Sequence, residues 1–126
     1  MTRIIGCLTV LLLLTGIAGC SGSSSNVRQD VYLADQGYQE LVKGNYEKAE
    51  ANLKVALSIN PENPYALLNL GVLYQNTGKV SKAKEMYRKL LALDPEDKAV
   101  ATTQKGYKGK KLTEIARANL KMLEEY

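Results

Sequence analysis

Chemistry in this chain must come from a narrow set of side chains. Its 126 residues hold no histidine, so the commonest general base and the commonest metal ligand are both missing. The cysteines are Cys7 and Cys20. The carboxylates of "EAN", "PED" and "EEY" have no histidine, cysteine or glycine-rich partner beside them. Nothing here groups into an acid–base pair, an activated nucleophile or a metal cluster. The expectation is a protein that is not an enzyme, with no cofactor and no metal. Two places remain where residue type and spacing count. One is Cys20, at the end of "IAGC". The other is "KGYKGKK", which sets Lys105, Lys108, Lys110 and Lys111 around Tyr107.

Cys20 stands at a seam. Arg3 is the lone charge in the stretch before residue 28, and "IIGCLTVLLLLTGIAG" follows it at residues 4–19. That run is shorter than the ~20 apolar residues of a spanning helix. A basic start, a short apolar core and small residues at the end make a secretory signal peptide. "IAGC" resembles the lipobox of bacterial lipoproteins: a branched apolar residue, two small residues, then cysteine. The resemblance implies that the Cys20 sulfur receives diacylglycerol and that the leader, residues 1–19, is then removed. Cys20 becomes the first residue, and in Gram-negative cells its new amino group usually takes a further acyl chain. Cys7 is lost with the leader, so no disulfide forms. Two or three acyl chains hold a protein on a membrane where one gives only reversible binding. Residues 20–29 then form the lipidated cysteine and a tether, "SGSSSNVRQ", whose Ser and Gly make it flexible. Fully extended, that tether reaches roughly 30 Å. Ser21 stands where, by resemblance to the Gram-negative sorting rule, aspartate would retain the protein at the inner membrane. The expected location is therefore the periplasmic face of the outer membrane.

The elements that follow are copies of one another. At a shift of 34, Leu33 falls on Leu67, Gly37 on Gly71, Gly44 on Gly78 and Ala49 on Ala83. Leu57 falls on Leu91, Pro61 on Pro95 and Glu62 on Glu96. Each copy reads as two helices. In the second, Asn63 can cap and Pro64 sits in the first turn, where its missing N–H costs nothing. Apolar residues recur at helical spacing until "NTGK" breaks the helix at Gly78, and a second helix runs from about Val80 to Leu93. The first copy repeats the plan: a helix to about Val42, a break at "KGN", a helix from Tyr46 to Ile59, then "NP". Gly37, Gly71, Ala49 and Ala83 are small where paired helices cross, so the backbones can approach.

This pattern resembles the tetratricopeptide repeat, a 34-residue helix–turn–helix. Repeat 1 spans residues 30–63 and repeat 2 residues 64–97. "LLNLGVLYQNTGKVSKAKEMYRKLLALDPED" carries the strongest likeness, although Leu90 stands where a small residue is usual. In repeat 1, Gln36 and Glu40 hold positions that are usually apolar or aromatic. Residues 98–111 read as a basic loop with a short or frayed helix near 97–104. Residues 112–126 read as a C-terminal capping helix with Leu112, Ile115, Ala116, Leu120 and Leu123 facing inward. Ala116, Leu120 and Leu123 follow Ala83, Tyr87 and Leu90 at a spacing of 33. The expected fold is all-α: a helical-hairpin array, or α-solenoid, of two full repeats and that capping helix.

The resemblance also implies a site. In such arrays the first helix of each pair lines a concave face that binds peptides or other proteins. The residues mapping there are Val31, Ala34, Tyr38 and Leu41, then Tyr65, Leu68, Val72 and Gln75, with Asn69 and Asn76 at the edge. Some members grip a terminal carboxylate with a set of Lys, Arg and Asn along this groove. Only Asn69 has a counterpart here, so that mode does not carry over. The formal net charge of +4 suits an anionic surface without naming one. Behind a lipoprotein leader nucleic acid is not expected. The Lys105–Lys111 patch would instead meet lipid headgroups, cell-wall polymer or an acidic protein, or stay a solvated loop. The function expected is a membrane-anchored protein–protein interaction adaptor in the bacterial envelope. Small lipoproteins with these repeats serve pilus, secretin or outer-membrane assembly. The alternative is a structural homo-oligomer.

Overall fold

Proline and glycine punctuate the chain where its helices start and stop. The computed structural model describes residues 28–99 and 106–125. Within them lie α1 (Gln29–Val42), α2 (Tyr46–Ile59), α3 (Pro64–Asn76), α4 (Val80–Leu93) and α5 (Leu112–Glu124). The leader, Cys20 and the tether up to residue 27 lie outside the described residues, as do Lys105 and Tyr126.

The two hairpin turns are built alike. The amide of Asn45 donates to the Glu40 carbonyl at 2.9 Å, and that of Lys79 to the Tyr74 carbonyl at 2.8 Å. Between them sit Gly44 at φ 82° and Gly78 at φ 73°. This is the Schellman closure, which needs a left-handed residue after the helix and so favours glycine. Glu40, polar where a bulky residue is usual, also accepts from Lys43 Nζ at 2.9 Å and Asn45 Nδ2 at 2.7 Å. At the start of α3, Asn63 Oδ1 accepts from the Ala66 amide at 2.9 Å, and Pro64 opens the first turn. At the end of α4, Asp94 adopts a left-handed φ of 44° and Pro95 follows.

Packing within each hairpin depends on a missing side chain. A Cβ on Gly37 would lie 2.5 Å from Leu53 Cγ, and one on Gly71 would run into the Tyr87 ring. Leu53 and Tyr87 are fully buried in those gaps. The hairpins are joined through α3, which touches α1 and α2 on one side and α4 and α5 on the other. That position explains why "YALLNLGVLY" is apolar nearly all round, as a buried helix must be. Leu67, Leu70, Leu73 and Leu90 are each at most 2 % exposed.

A polar knot ties the start of α1 to the α2–α3 loop. The Asp30 carboxylate is 3 % exposed. Its Oδ2 accepts from Asn60 Nδ2 at 2.9 Å and Asn63 Nδ2 at 2.8 Å, and the Arg28 guanidinium lies 2.9 Å away. Burial alone would raise the Asp30 pKa; the bonds from Asn60, Asn63 and Arg28 outweigh it and hold the value at about 2.

Beyond α4 the chain departs from the helical reading. Of the short helix expected near 97–104, the described residues 97–99 are not helical: they pair in strand-like fashion with 109–112. The Ala99 amide donates to the Lys110 carbonyl at 2.9 Å, the Gly109 amide to Ala99 at 2.8 Å and the Leu112 amide to Asp97 at 3.0 Å. Pro95 and the left-handed Asp94 stop α4, and Gly106 and Gly109, both at positive φ, fold the strand-like return. Residues 100–105 lie outside the described residues.

The C-terminal helix caps the array. Leu112, Ile115 and Ala116 are buried, and Leu120 and Leu123 pack half-buried against the core. The helix rests mainly on α4 and also touches α3. Those are the two neighbours that a following first helix would take, just as α3 takes α1 and α2. So α5, whose apolar spacing copies α4, fills the place of the next repeat's first helix. The described residues between α4 and α5, 94–99 and 106–111, form no helix, and the open flank of α4 is the apolar surface that α5 covers. Asn119 is fully buried at this joint and donates to the Tyr87 hydroxyl at 3.2 Å, which in turn donates to Gln75 Oε1 at 2.8 Å. Burial pushes the Tyr87 pKa well up, keeping the hydroxyl protonated as that donor. Asn119 Oδ1 finds no partner among the described residues.

Candidate peptide-binding groove

α1 and α3 lie side by side, and one face of the pair opens as a pocket. Its volume is about 210 Å³. Drug-sized pockets run from roughly 300 to 1,000 Å³, so this one holds a side chain or two of a larger partner. Helical spacing sets the walls: Val31, Ala34 and Tyr38 recur along α1, and Tyr65, Leu68 and Asn69 along α3. Ala34 and Leu68 form a buried floor, while Tyr38 and Tyr65 are half-buried walls. Three further residues complete the lining. Asp35 comes from the rim of α1, Ala99 from the extended segment and Leu112 from the first residue of α5.

Six of the ten positions expected on the concave face therefore meet in this pocket. The others go elsewhere. Leu41 is 7 % exposed in the core, and Val72 packs half-buried against it. Gln75 turns to α4 and accepts from Tyr87. Asn76 is exposed near the end of α3. Sequence reasoning missed Asp35, Ala99 and Leu112 as lining residues, having read Leu112 only as part of the inward stripe of the last helix. Asp35 lies on the same turn as Ala34, and that spacing was a usable signal. Ala99 reaches the pocket only through the 97–99 pairing, which has no local signature.

Two carboxylates stand by the tyrosines. The Tyr65 hydroxyl donates to Asp97 Oδ1 at 3.3 Å. Burial, then the nearby Asp97 charge, raises the Tyr65 pKa. Burial, then Asp35, does the same to Tyr38. Both rings stay neutral hydroxyl donors at physiological pH.

The basic segment is partly neutralised. Lys111 Nζ lies 2.6 Å from Glu96 Oε2, and that bond raises the Lys111 pKa and lowers that of Glu96. Lys110 Nζ sits 5.2 Å from the centroid of the Tyr107 ring, itself half-buried against the core. Lys108 is exposed. Among the described residues there is no group of His, Cys, Asp and Glu able to hold a metal ion. Nor is any described helix long and apolar enough to cross a membrane.

Paired antiparallel helices, repeated Schellman turns and a pocket shared by the first helix of each pair define a helical-repeat array. The tetratricopeptide repeat family model matches residues 41–105, and the chain belongs to that family. It is 32 % identical over 108 residues to the type IV pilus assembly protein PilF of Pseudomonas aeruginosa. That alignment covers 78 % of this chain and 42 % of PilF. It is also 32 % identical over 82 residues to the protein O-mannosyl-transferase F38B6.6 of Caenorhabditis elegans. There it covers 65 % of this chain and 10 % of the relative. The chain thus spans less than half the length of either relative. No solved structure matches it.

Proposed function

We propose that this chain is a lipid-anchored adaptor of the bacterial envelope. It would bind a protein or peptide in the α1–α3 groove and assist assembly of a pilus, a secretin or another outer-membrane complex. The observation that carries the reading is the pocket, where Val31, Tyr38, Tyr65 and Leu68 converge from two repeats. Tyrosine is enriched in protein interfaces, where it brings contact area at low entropic cost. The likeness to PilF over 78 % of the chain supports an assembly role. "IAGC" supports acylation at Cys20, and Ser21 supports the outer membrane.

Two readouts on the full chain test this together. A photo-crosslinker at position 69, on the pocket wall, should trap a distinct envelope protein. Tyr38→Ala with Tyr65→Ala should weaken that capture by more than about 1 kcal/mol, the usual cost of losing an interface anchor. Cross-links only to further copies of this chain would favour a structural homo-oligomer. In the same cells Cys20→Ser should leave an uncleaved precursor that takes up no labelled palmitate. Normal acylation of that variant would remove the anchor from the reading.

A further inference from the structure

The chain carries 17 Lys and Arg against 13 Asp and Glu, yet the pocket has the opposite sign. Among the described residues that line it, no Lys or Arg occurs and Asp35 supplies the charge. A second carboxylate, Asp97, is held at the Tyr65 hydroxyl. Asp30, Glu40, Glu50, Glu85 and Glu96 each sit within an ion pair. Asp35 and Asp97 have no such partner among the described residues.

We propose that the groove takes an apolar peptide segment bearing a lysine or arginine, whose stem lies on Tyr38, Tyr65 and Leu68 and whose cation meets Asp35 and Asp97. The proposal rests on the groove being the binding site, as argued above, and adds the chemistry of its partner. A long basic side chain suits these walls in two ways. Its methylene stem can cover apolar surface while its head reaches the rim. Its charge is attracted both to a carboxylate and to the face of a tyrosine ring. An acidic peptide, or a free C-terminal carboxylate, would meet like charge at the same rim. Residue composition agrees, since the described residues lining the groove offer an amide from Asn69 but no cation to hold an anion.

The size of the preference follows from exposure. Asp35 is exposed, so its pairing with a ligand cation changes affinity only a few-fold and weakens with salt. A tyrosine face adds a similar factor. The probes are degenerate decapeptide pools of apolar residues with one fixed central residue: lysine, arginine, norleucine or glutamate. Binding is read by fluorescence anisotropy on the full chain in detergent micelles. The lysine and arginine pools should bind at least threefold tighter than norleucine, with glutamate weakest. Asp35→Asn should narrow the gap between lysine and norleucine without closing it, since Asp97 and the tyrosine faces remain, with its helical circular dichroism unchanged. Glu47→Gln, at the start of α2, should leave the order intact. Norleucine or glutamate binding as tightly as lysine would overturn the cation preference while leaving the groove as a binding site. No pool binding at all would remove both the groove and the proposal built on it.

Discussion

Asp30→Asn should loosen the joint between the repeats. The native carboxylate is buried and accepts from Asn60, Asn63 and Arg28. Its pKa of about 2 in the folded chain compares with roughly 3.9 for a free aspartate. At about 1.4 kcal/mol per unit, this difference stabilises the fold by about 2–3 kcal/mol. Arg28 contributes little of that, because its side chain is 64 % exposed and surface ion pairs are weak. Most comes from the two asparagine amides, which the neutral side chain satisfies less well. Asn63 also caps α3 through its other atom, so its reorientation would spread the damage. The expected loss of about 2–3 kcal/mol lowers the melting temperature by roughly 10 °C for a domain of this size. The sign with pH follows from a depressed carboxylate pKa. The stabilisation is complete above pH ~4 and is lost as pH falls through about 2. Glu50, also held at about 2, first by its bond from Lys54, titrates in the same range. The difference between wild type and variant therefore isolates Asp30. Urea titrations at pH 7, 4 and 2.5 measure it. The two proteins should differ by about 2–3 kcal/mol at pH 7 and converge toward pH 2. A constant gap at all three pH values, or no gap at pH 7, would refute the account of the buried carboxylate.

Truncation after Lys111 should unfold the array or drive it to self-associate. It uncovers Tyr87 and Leu90 and removes Leu112 and Ile115, which are 1 % and 4 % exposed. At roughly 1.5–3 kcal/mol for each buried aliphatic side chain, the loss is on the order of 5 kcal/mol, comparable with the whole stability of a small domain. A helical monomer with an unshifted melting temperature, seen by circular dichroism and sizing, would contradict it. Gly71→Ala should cost about 1–3 kcal/mol through overpacking against the Tyr87 ring. Gly44→Ala has open space around its Cβ, so it should show only the smaller cost of a strained left-handed turn. Equal denaturation midpoints for these two variants would sink the close-approach argument.

The hairpins were legible in the sequence because their signals are local. Asn63 before Pro64, the glycine three or four residues past the apolar stripe, and the 34-residue spacing all act within a turn or two of chain. Small residues at Gly37 and Gly71 told where paired helices cross, because close helices leave no room for a Cβ. The inward stripe of the last helix was equally plain. Its docking on α4 followed from the same kind of signal, since the apolar side of residues 80–93, with Leu90 and Leu91, also had to be covered; its reach to α3 did not.

Other features depended on groups far apart in the chain. Asp30 reads as an ordinary first-turn acid. Only the return of the chain at residues 60 and 63 supplies the two amides that make its burial tolerable. Gln75 and Leu41 share a helix face with the groove residues in sequence. The packing of α4 against α3 draws Gln75 to Tyr87, and the core takes Leu41. Ala99 enters the pocket because two glycines fold residues 109–112 back onto it. Sequence by itself determined the helices, their breaks and their apolar sides, because these follow from backbone sterics and periodicity over a few residues. Tertiary structure decided which side chains share the pocket and which carboxylates find partners, because both depend on how one helix sits against another.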